Sequence, residues 1–334
     1  MKKITLFIAF MFLTKISAQV FSGTTSGQFL KIDVGAKAVS MGGAFVAEAN
    51  DVSSLFWNPA GISYLPYNST MFSHGYWLAD TKHDFAGLVF KFGNNQAVGL
   101  SYTVLNYGEM KVRTEIYPEG TGEFFSASDY SLALSYAFRI TEDFGIGFTG
   151  KYIGQQIWNM NASNLAFDIG VLYRTPIKGL NLGMSVSNIS SKVKFAGKDN
   201  FIYYSYDPTK KGASDKIFAE IKMDEWDLPL FYRVGISAKL IDDEIHALTL
   251  NVDANHPNDY SESVNTGAEY AFKERIFLRV GYKALFKKES QEGLNAGIGF
   301  VYYFTDYVPL HLDYAYSDFG ILGSIQRVGV ELGF

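Results

Sequence analysis

From Thr70 to the end of the chain, apolar residues alternate with small or polar ones. That is the period of two that a strand imposes on its two faces. In residues 275–286 one face carries Ile276, Leu278, Val280, Tyr282, Ala284 and Phe286, and the other Arg279, Gly281 and Lys283. Leu248, Leu250 and Val252 alternate with Thr249, Asn251 and Asp253, and Leu310, Leu312, Tyr314 and Tyr316 with His311, Asp313 and Ser317. Read along its whole length, the chain predicts about fourteen strands, many of 10 to 12 residues. Strands of soluble proteins mostly run to about 5 or 6 residues, whereas a tilted strand crossing a bilayer needs roughly 9 to 11.

The connections carry a second pattern. Tight turns at residues 93–95, 141–143, 175–178, 242–244, 273–274 and 305–307 alternate with longer segments at 108–127, 190–229, 256–262 and 287–291. Strict short/long alternation places short turns at one end of a membrane barrel and long loops at the other. A soluble β-sandwich also alternates, but its outer face is usually rich in Lys, Glu and Thr. Here the less apolar face is dominated by Gly, Ser, Ala and Asn, with isolated charges at Arg139, Lys151, Asp168, Arg233 and Arg279. Such a face suits a crowded, partly wet lumen. The last strand places Val328, Val330, Leu332 and Phe334 together, and this terminal aromatic resembles the assembly signal of Gram-negative outer-membrane barrels.

Composition narrows the choice further. Of 334 residues, 48% are apolar and 19% charged, against about 25% charged in ordinary soluble domains. The absence of cysteine excludes a disulfide scaffold, a thiolate metal site and a Cys nucleophile. Beyond the N-terminus no apolar run approaches the ~18 residues of a spanning helix. The formal charge of −5, with no basic block, argues against nucleic acid as a partner. Lys2 and Lys3, the apolar stretch 4–13 and the small residue Ala18 predict a secretory signal peptide over residues 1–18. Its removal takes Lys2, Lys3 and Lys15 away and the charge from −5 to −8.

Residues 19–66 do not alternate. The small-residue run beginning at Gly35 predicts a short helix broken at Gly42-Gly43, and Asp51 is a candidate N-cap for a second turn ending before Pro59. A lumen of about fourteen strands is too wide to be filled by its own side chains. The expected fold is therefore all-β: a transmembrane antiparallel barrel over residues 67–334, with residues 19–66 as a small helical plug.

The plug also carries motifs. Gly35-Ala36-Lys37-Ala38, Met41-Gly42-Gly43-Ala44-Phe45-Val46-Ala47, Asn50-Asp51 with Ser53-Ser54, and Trp57-Asn58-Pro59-Ala60-Gly61 resemble the N-terminal signature of the PorV/PorQ family within the FadL-like outer-membrane barrels. Asn58-Pro59-Ala60 matches the hatch motif of the fatty-acid transporters of that superfamily. The resemblance implies that Gly42, Gly43, Trp57, Asn58, Pro59, Ala60 and Gly61 hold the plug in the barrel. It implies one of two roles. PorV-type members are accessory subunits of type IX secretion that bind the translocon or exported cargo. FadL-type relatives pass hydrophobic small molecules to a lateral opening in the wall. The spelling Met41-Gly42-Gly43-Ala44 is common to both branches.

Catalytic chemistry is not evident. Gly145-Ile146-Gly147-Phe148-Thr149-Gly150 spells G-x-G-x-x-G, but a dinucleotide site needs that motif between a strand and a helix. Here it lies within an alternating strand, with Gly145 and Gly147 on the lumen face. The five histidines show no metal spacing, and no G-x-S-x-G occurs. No enzyme, cofactor or metal is expected. The loop 190–229 is more informative, because it mixes Phe195, Phe201, Tyr203, Tyr204, Tyr206 and Trp226 with many charges, a composition suited equally to a contact surface and to a loop folded over the barrel mouth. The expected surroundings are outer-membrane lipid, with either a secretion partner or a hydrophobic molecule as ligand.

Overall fold

The computed structural model describes residues 23–205, 216–287, 290–305 and 308–334. The expected leader at residues 1–18 and Tyr206 lie outside them. The strands are β1 (Ser69–Tyr76), β2 (Lys82–Phe92), β3 (Gln96–Lys111), β4 (Phe124–Arg139), β5 (Phe144–Ile157), β6 (Met160–Arg174) and β7 (Leu180–Ser190). Three short ones follow, β8 (Ala196–Gly197), β9 (Phe201–Ser205) and β10 (Lys216–Glu220). The series ends with β11 (Phe231–Asp242), β12 (His246–Pro257), β13 (Ser263–Phe272), β14 (Ile276–Leu285), β15 (Leu294–Thr305), β16 (Val308–Asp318) and β17 (Ser324–Gly333).

Fourteen strands close one antiparallel barrel. β1 to β7 pair in sequence, β7 pairs β11, β11 to β17 follow in order, and β17 returns to β1. The closing seam sets Ser69 opposite Gly333 and Tyr76 opposite Gln326. A closed ring leaves no strand edge unpaired, which is what hydrocarbon demands of a β-structure.

Side chains follow the predicted facing. On β12, Leu250 and Val252 are exposed while Asn251 and Asp253 are buried. On β14, Leu278 and Val280 point outward and Arg279 and Gly281 inward. Ala284 departs from its expected outer face. The β13–β14 pairing shifts register near the top of both strands, Ala284 takes φ 58°, and its side chain turns inward to 4% exposure. A bulge of this kind reverses the alternation beyond it.

The connections are not strictly short and long. β5 and β6, of 14 and 15 residues, are joined at the long-loop end by Trp158 and Asn159 alone. β3 and β4 run for 16 residues each, so both ends of segment 108–127 are ribbon and only residues 112–123 form the connection. Pairing continues past the length needed to cross the bilayer because the two hairpins support each other, with the Phe125 and Trp158 rings 5.7 Å apart.

Inside the barrel lies the N-terminal plug. It comprises a helix at Ala36–Ser40, a one-turn helix at Ser54–Trp57 and a 3-10 helix at Pro59–Tyr64. Gly42 and Gly43, at φ 68° and 72°, reverse the chain after the first helix, a conformation that costs glycine nothing. Ser53, not Asp51, occupies the N-cap of the second helix. Asp51 closes the preceding turn, its Oδ1 accepting from the Ser53 N–H at 2.8 Å and hydroxyl at 2.5 Å. Val34, Met41, Phe45, Trp57 and Ile62 of the plug form one buried cluster with Phe85, Val89, Ala97 and Ala137 of the wall.

The facing yields a paired test. Leu250→Arg puts a charge against lipid and is expected to cost about 2–4 kcal/mol near the midplane. Thr249→Arg, one residue away, opens onto a polar internal cavity and should cost far less. Urea unfolding in lipid vesicles measures both, and equal costs would contradict the facing.

Candidate functional site

The plug meets the wall backbone to backbone. A Cβ on Gly147 would fall 2.4 Å from the peptide atoms of Pro59 and Ala60, one on Gly281 2.1 Å from Met41, and one on Gly183 2.2 Å from Val46. Gly170 faces the Asn58 side chain in the same way. Two glycines of the apparent dinucleotide motif, Gly145 against Tyr64 and Gly147 against Pro59 and Ala60, thus make room for the plug. Gly150, by contrast, points outward, with only the Phe167 ring at 3.9 Å from its ideal Cβ.

Hydrogen bonds fix the plug at these contacts. Asn58 is fully buried. Its Nδ2 donates to Val46 O at 2.8 Å in the plug and to Val171 O at 2.9 Å in the wall, and its Oδ1 accepts from Ala60 N. Asp253 reaches in from β12 and accepts the consecutive N–H groups of Phe45 and Val46 at 2.7 and 2.9 Å. Trp57 donates through Nε1 to Val34 O at 3.1 Å and packs edge-on to Phe45 and Phe56. Unpaired buried polar groups cost about 1–3 kcal/mol each, so these bonds hold the plug to one position.

Charges complete the fastening. Lys37 of the plug pairs Glu48 at 2.9 Å and Glu269 of the wall at 3.7 Å, and Arg279 joins Glu269 at 2.6 Å to Asp313. Burial alone would lower the Lys37 pKa, but Glu269 and Glu48 outweigh it and the ammonium is held well above its ordinary range. Burial pushes the Asp51 carboxyl up to about 6, against the pull of Lys37 and Ser53. At the long-loop end Lys31 pairs Asp259 at 2.6 Å, and Ser26 N donates to Asp227 O at 2.9 Å.

Among the described residues a large cavity lies on each side of the plug. The one at the short-turn end, about 610 Å³, is lined by Glu48, Asp51, Glu269, Arg279 and Glu331 among others. The one at the long-loop end, about 670 Å³, is lined by Lys31, Asp33, Arg233, Asp259, Lys283 and the rings of Phe231 and Tyr260. Both are strongly charged. Among the described residues no group of acidic or histidine side chains is placed to hold a metal.

Gly42, Gly43, Trp57, Asn58, Pro59, Ala60 and Gly61 all lie at the plug's contacts with itself and the wall; Gly61, for instance, abuts Ala49 O. The residues of the long loop divide. Phe195 packs half-buried against Phe29, Leu30, Val193 and Leu228, so it seals the mouth and is not an exposed contact residue as expected. Its apolar neighbours in the N-terminal segment draw it down. Trp226 anchors the loop by two 2.8 Å backbone bonds with Val193 while its side chain stays exposed. β9 and β10 form a separate ribbon. Phe201, Tyr203 and Phe218 are exposed on one face of it and Ile202, Tyr204 and Ile217 on the other. Phe201 and Phe218 stack at 5.0 Å. Phe334, half exposed, closes the seam through its N–H to Asn68 O at 2.8 Å and a ring contact with Phe90. Sequence reasoning missed Asp253 and Asn188 as fastening residues. Asn188 sits at φ 67°, donates its N–H to Asp168 and its Nδ2 to Pro229 O, and accepts from Lys151. Only an acidic or amide residue on an otherwise small lumen face could have signalled them.

Comparison with known proteins agrees with this architecture. Residues 16–222 match the family described as type IX secretion system protein PorV. No curated protein matches the chain. Among solved structures, the CymD monoaromatic hydrocarbon channel superposes with a TM-score of 0.56 at 13% identity, covering 90% of this chain and 97% of that one. The Pseudomonas putida toluene transporter TodX gives 0.54 at 12%, covering 94% and 98%. The Ralstonia pickettii toluene transporter TbuX gives 0.52 at 11%, covering 90% and 97%. At these identities the likeness is one of fold.

The glycine contacts make a discriminating pair. Gly147→Val forces the plug from its seat and should cost about 1–3 kcal/mol, with ion conductance appearing in planar bilayers. Gly150→Val should be silent in both measurements. A Gly147→Val protein as stable and closed as the parent would refute the seating.

Proposed function

The chain belongs to the family of type IX secretion system protein PorV and is an outer-membrane β-barrel of a Gram-negative cell. On that premise we propose that it is a non-catalytic accessory subunit of type IX secretion, binding the translocon or its exported cargo at the extracellular mouth. The observation that carries this reading is the β9–β10 ribbon. Two short strands, apolar on both faces, form a sheet separate from the barrel wall, with Tyr203 at 73% and Phe218 at 64% exposure. A two-stranded ribbon is at best marginally stable alone in water, and clustered exposed apolar side chains mark interaction sites. Phe201 shares the face of Tyr203 and Phe218, Tyr204 is exposed on the opposite face, and Trp226 is exposed in the same loop.

The lumen supports the same reading from the opposite direction. A channel for hydrophobic molecules needs a continuous apolar path, whereas here the plug is bonded to the wall and charged side chains line both cavities. Phe334 and the exposed Leu, Val and Phe side chains of the outer wall face lipid.

The test is isolation from the native membrane in mild detergent. The parent protein should co-purify with a large translocon. The triple variant Phe201→Ser, Tyr203→Ser, Phe218→Ser should insert normally but lose that partner by about tenfold or more, as befits clustered aromatic anchors. A parent protein recovered alone with bound lipid would instead favour a channel for apolar solutes.

A further inference from the structure

Inside the barrel, Lys37, Lys151, Arg279 and Lys283 each meet a carboxylate within 2.9 Å. The periplasmic rim between β2 and β6 is different. Lys91, Arg139 and Arg174 continue the lumen-facing alternation at the short-turn ends of β2, β4 and β6, and among the described residues none of the three forms an ion pair. They surround Tyr64, the last residue of the plug's 3-10 helix. Tyr64 lies over Gly145 of β5, where a Cβ would fall 2.7 Å from its ring. From the strand on either side an arginine reaches that ring, the Arg174 guanidinium at 4.1 Å from its centroid and that of Arg139 at 5.3 Å. Lys91 donates to Pro66 O at 3.4 Å and Arg139 to Asn94 O, while Nε of Arg139 is buried without a partner. The Arg174 side chain is exposed and makes no hydrogen bond among the described residues. The charge of Asp143 acts on it without closing an ion pair, and that of Arg139 repels both it and Lys91.

We propose that this basic arc binds an acidic segment of a periplasmic polypeptide, with Arg174 as its main contact. The Tyr64 ring supports the Arg174 guanidinium and leaves open its five N–H donors, a planar fork that fits a carboxylate. β2, β4 and β6 are alternate strands, which sets neighbouring members of the arc about 9–10 Å apart. A small anion meets one of them at a time. Acidic side chains on alternate residues of an extended peptide recur about every 7 Å along one edge, so a single segment meets several. All three cations face the lumen, and the headgroups of the surrounding lipid lie outside the wall. The arc is on the opposite side of the membrane from the β9–β10 ribbon, so its failure leaves the reading of the ribbon untouched.

Fluorescence anisotropy on the full-length protein in detergent tests it, with a labelled hexapeptide of alternating Asp and Ser as probe and the Asn-for-Asp hexapeptide as its uncharged counterpart. The acidic peptide should bind at least about tenfold more tightly, because only its carboxylates make charge-assisted bonds to the arginines. Arg174→Gln, at the exposed rim, should lose that preference, and Arg174→Lys should retain part of it, since lysine supplies the charge without the fork. Tyr64→Leu should weaken the acidic peptide several-fold while the barrel keeps its heat-modifiable gel mobility. Lys82→Gln removes an exposed cation at the other end of β2 and should change nothing. The two peptides binding alike, no binding of the acidic peptide to the parent protein, or an Arg174→Gln protein that binds as the parent does would overturn the proposal. Displacement of the peptide by an equal concentration of inorganic phosphate, or by phosphatidylglycerol added to the micelles, would assign the arc to another anion and overturn it as well.

Discussion

A fourteen-stranded wall encloses more space than its own side chains fill, and the structure is organised around that deficit. The filler is a folded piece of the same chain, brought close enough for main chain to touch main chain. That proximity requires the wall to lack side chains where the plug lies, at Gly147, Gly170, Gly183 and Gly281. It also exposes the plug's peptide groups to a dry interface, where each needs a partner. Asn58 and Asp253 provide those partners from opposite sides of the contact.

The outer surface and the interior obey different rules. Outside, the closed ring and its apolar face are dictated by lipid, and residues such as Leu250 are interchangeable with others of like character. Inside, each residue answers to a particular neighbour. Asn251 illustrates the difference, because its amide reaches both Met41 and Glu48 of the plug. A lumen position in this barrel is a packed position.

The barrel was legible in the sequence because strand facing is a local property, repeated every second residue through some 260 positions. The plug was legible as a break in that repeat, and its motif as a resemblance. What remained hidden is non-local. Asp253 pairs with residues more than 200 positions away, and no spacing rule announces such a partner. The bulge at Ala284 and the two-residue turn at Trp158-Asn159 were hidden for a related reason: pairing register depends on the neighbouring strand. Phe195 and Tyr203 look alike in a loop rich in aromatics, and only the position of the N-terminal segment buries one and leaves the other bare.

The plug is secured at both mouths. Ser26 and Lys31 are tied to Asp227 and Asp259 at the outer end; at the inner end the Tyr64 ring lies 4.1 Å from the Arg174 guanidinium and Pro66 O accepts from Lys91 Nζ at 3.4 Å. A flap hinged on one side can swing, but a strut pinned at its two ends cannot rotate without breaking a joint. Held in this way, the plug cannot leave the lumen as a unit unless the ties at both mouths are broken together.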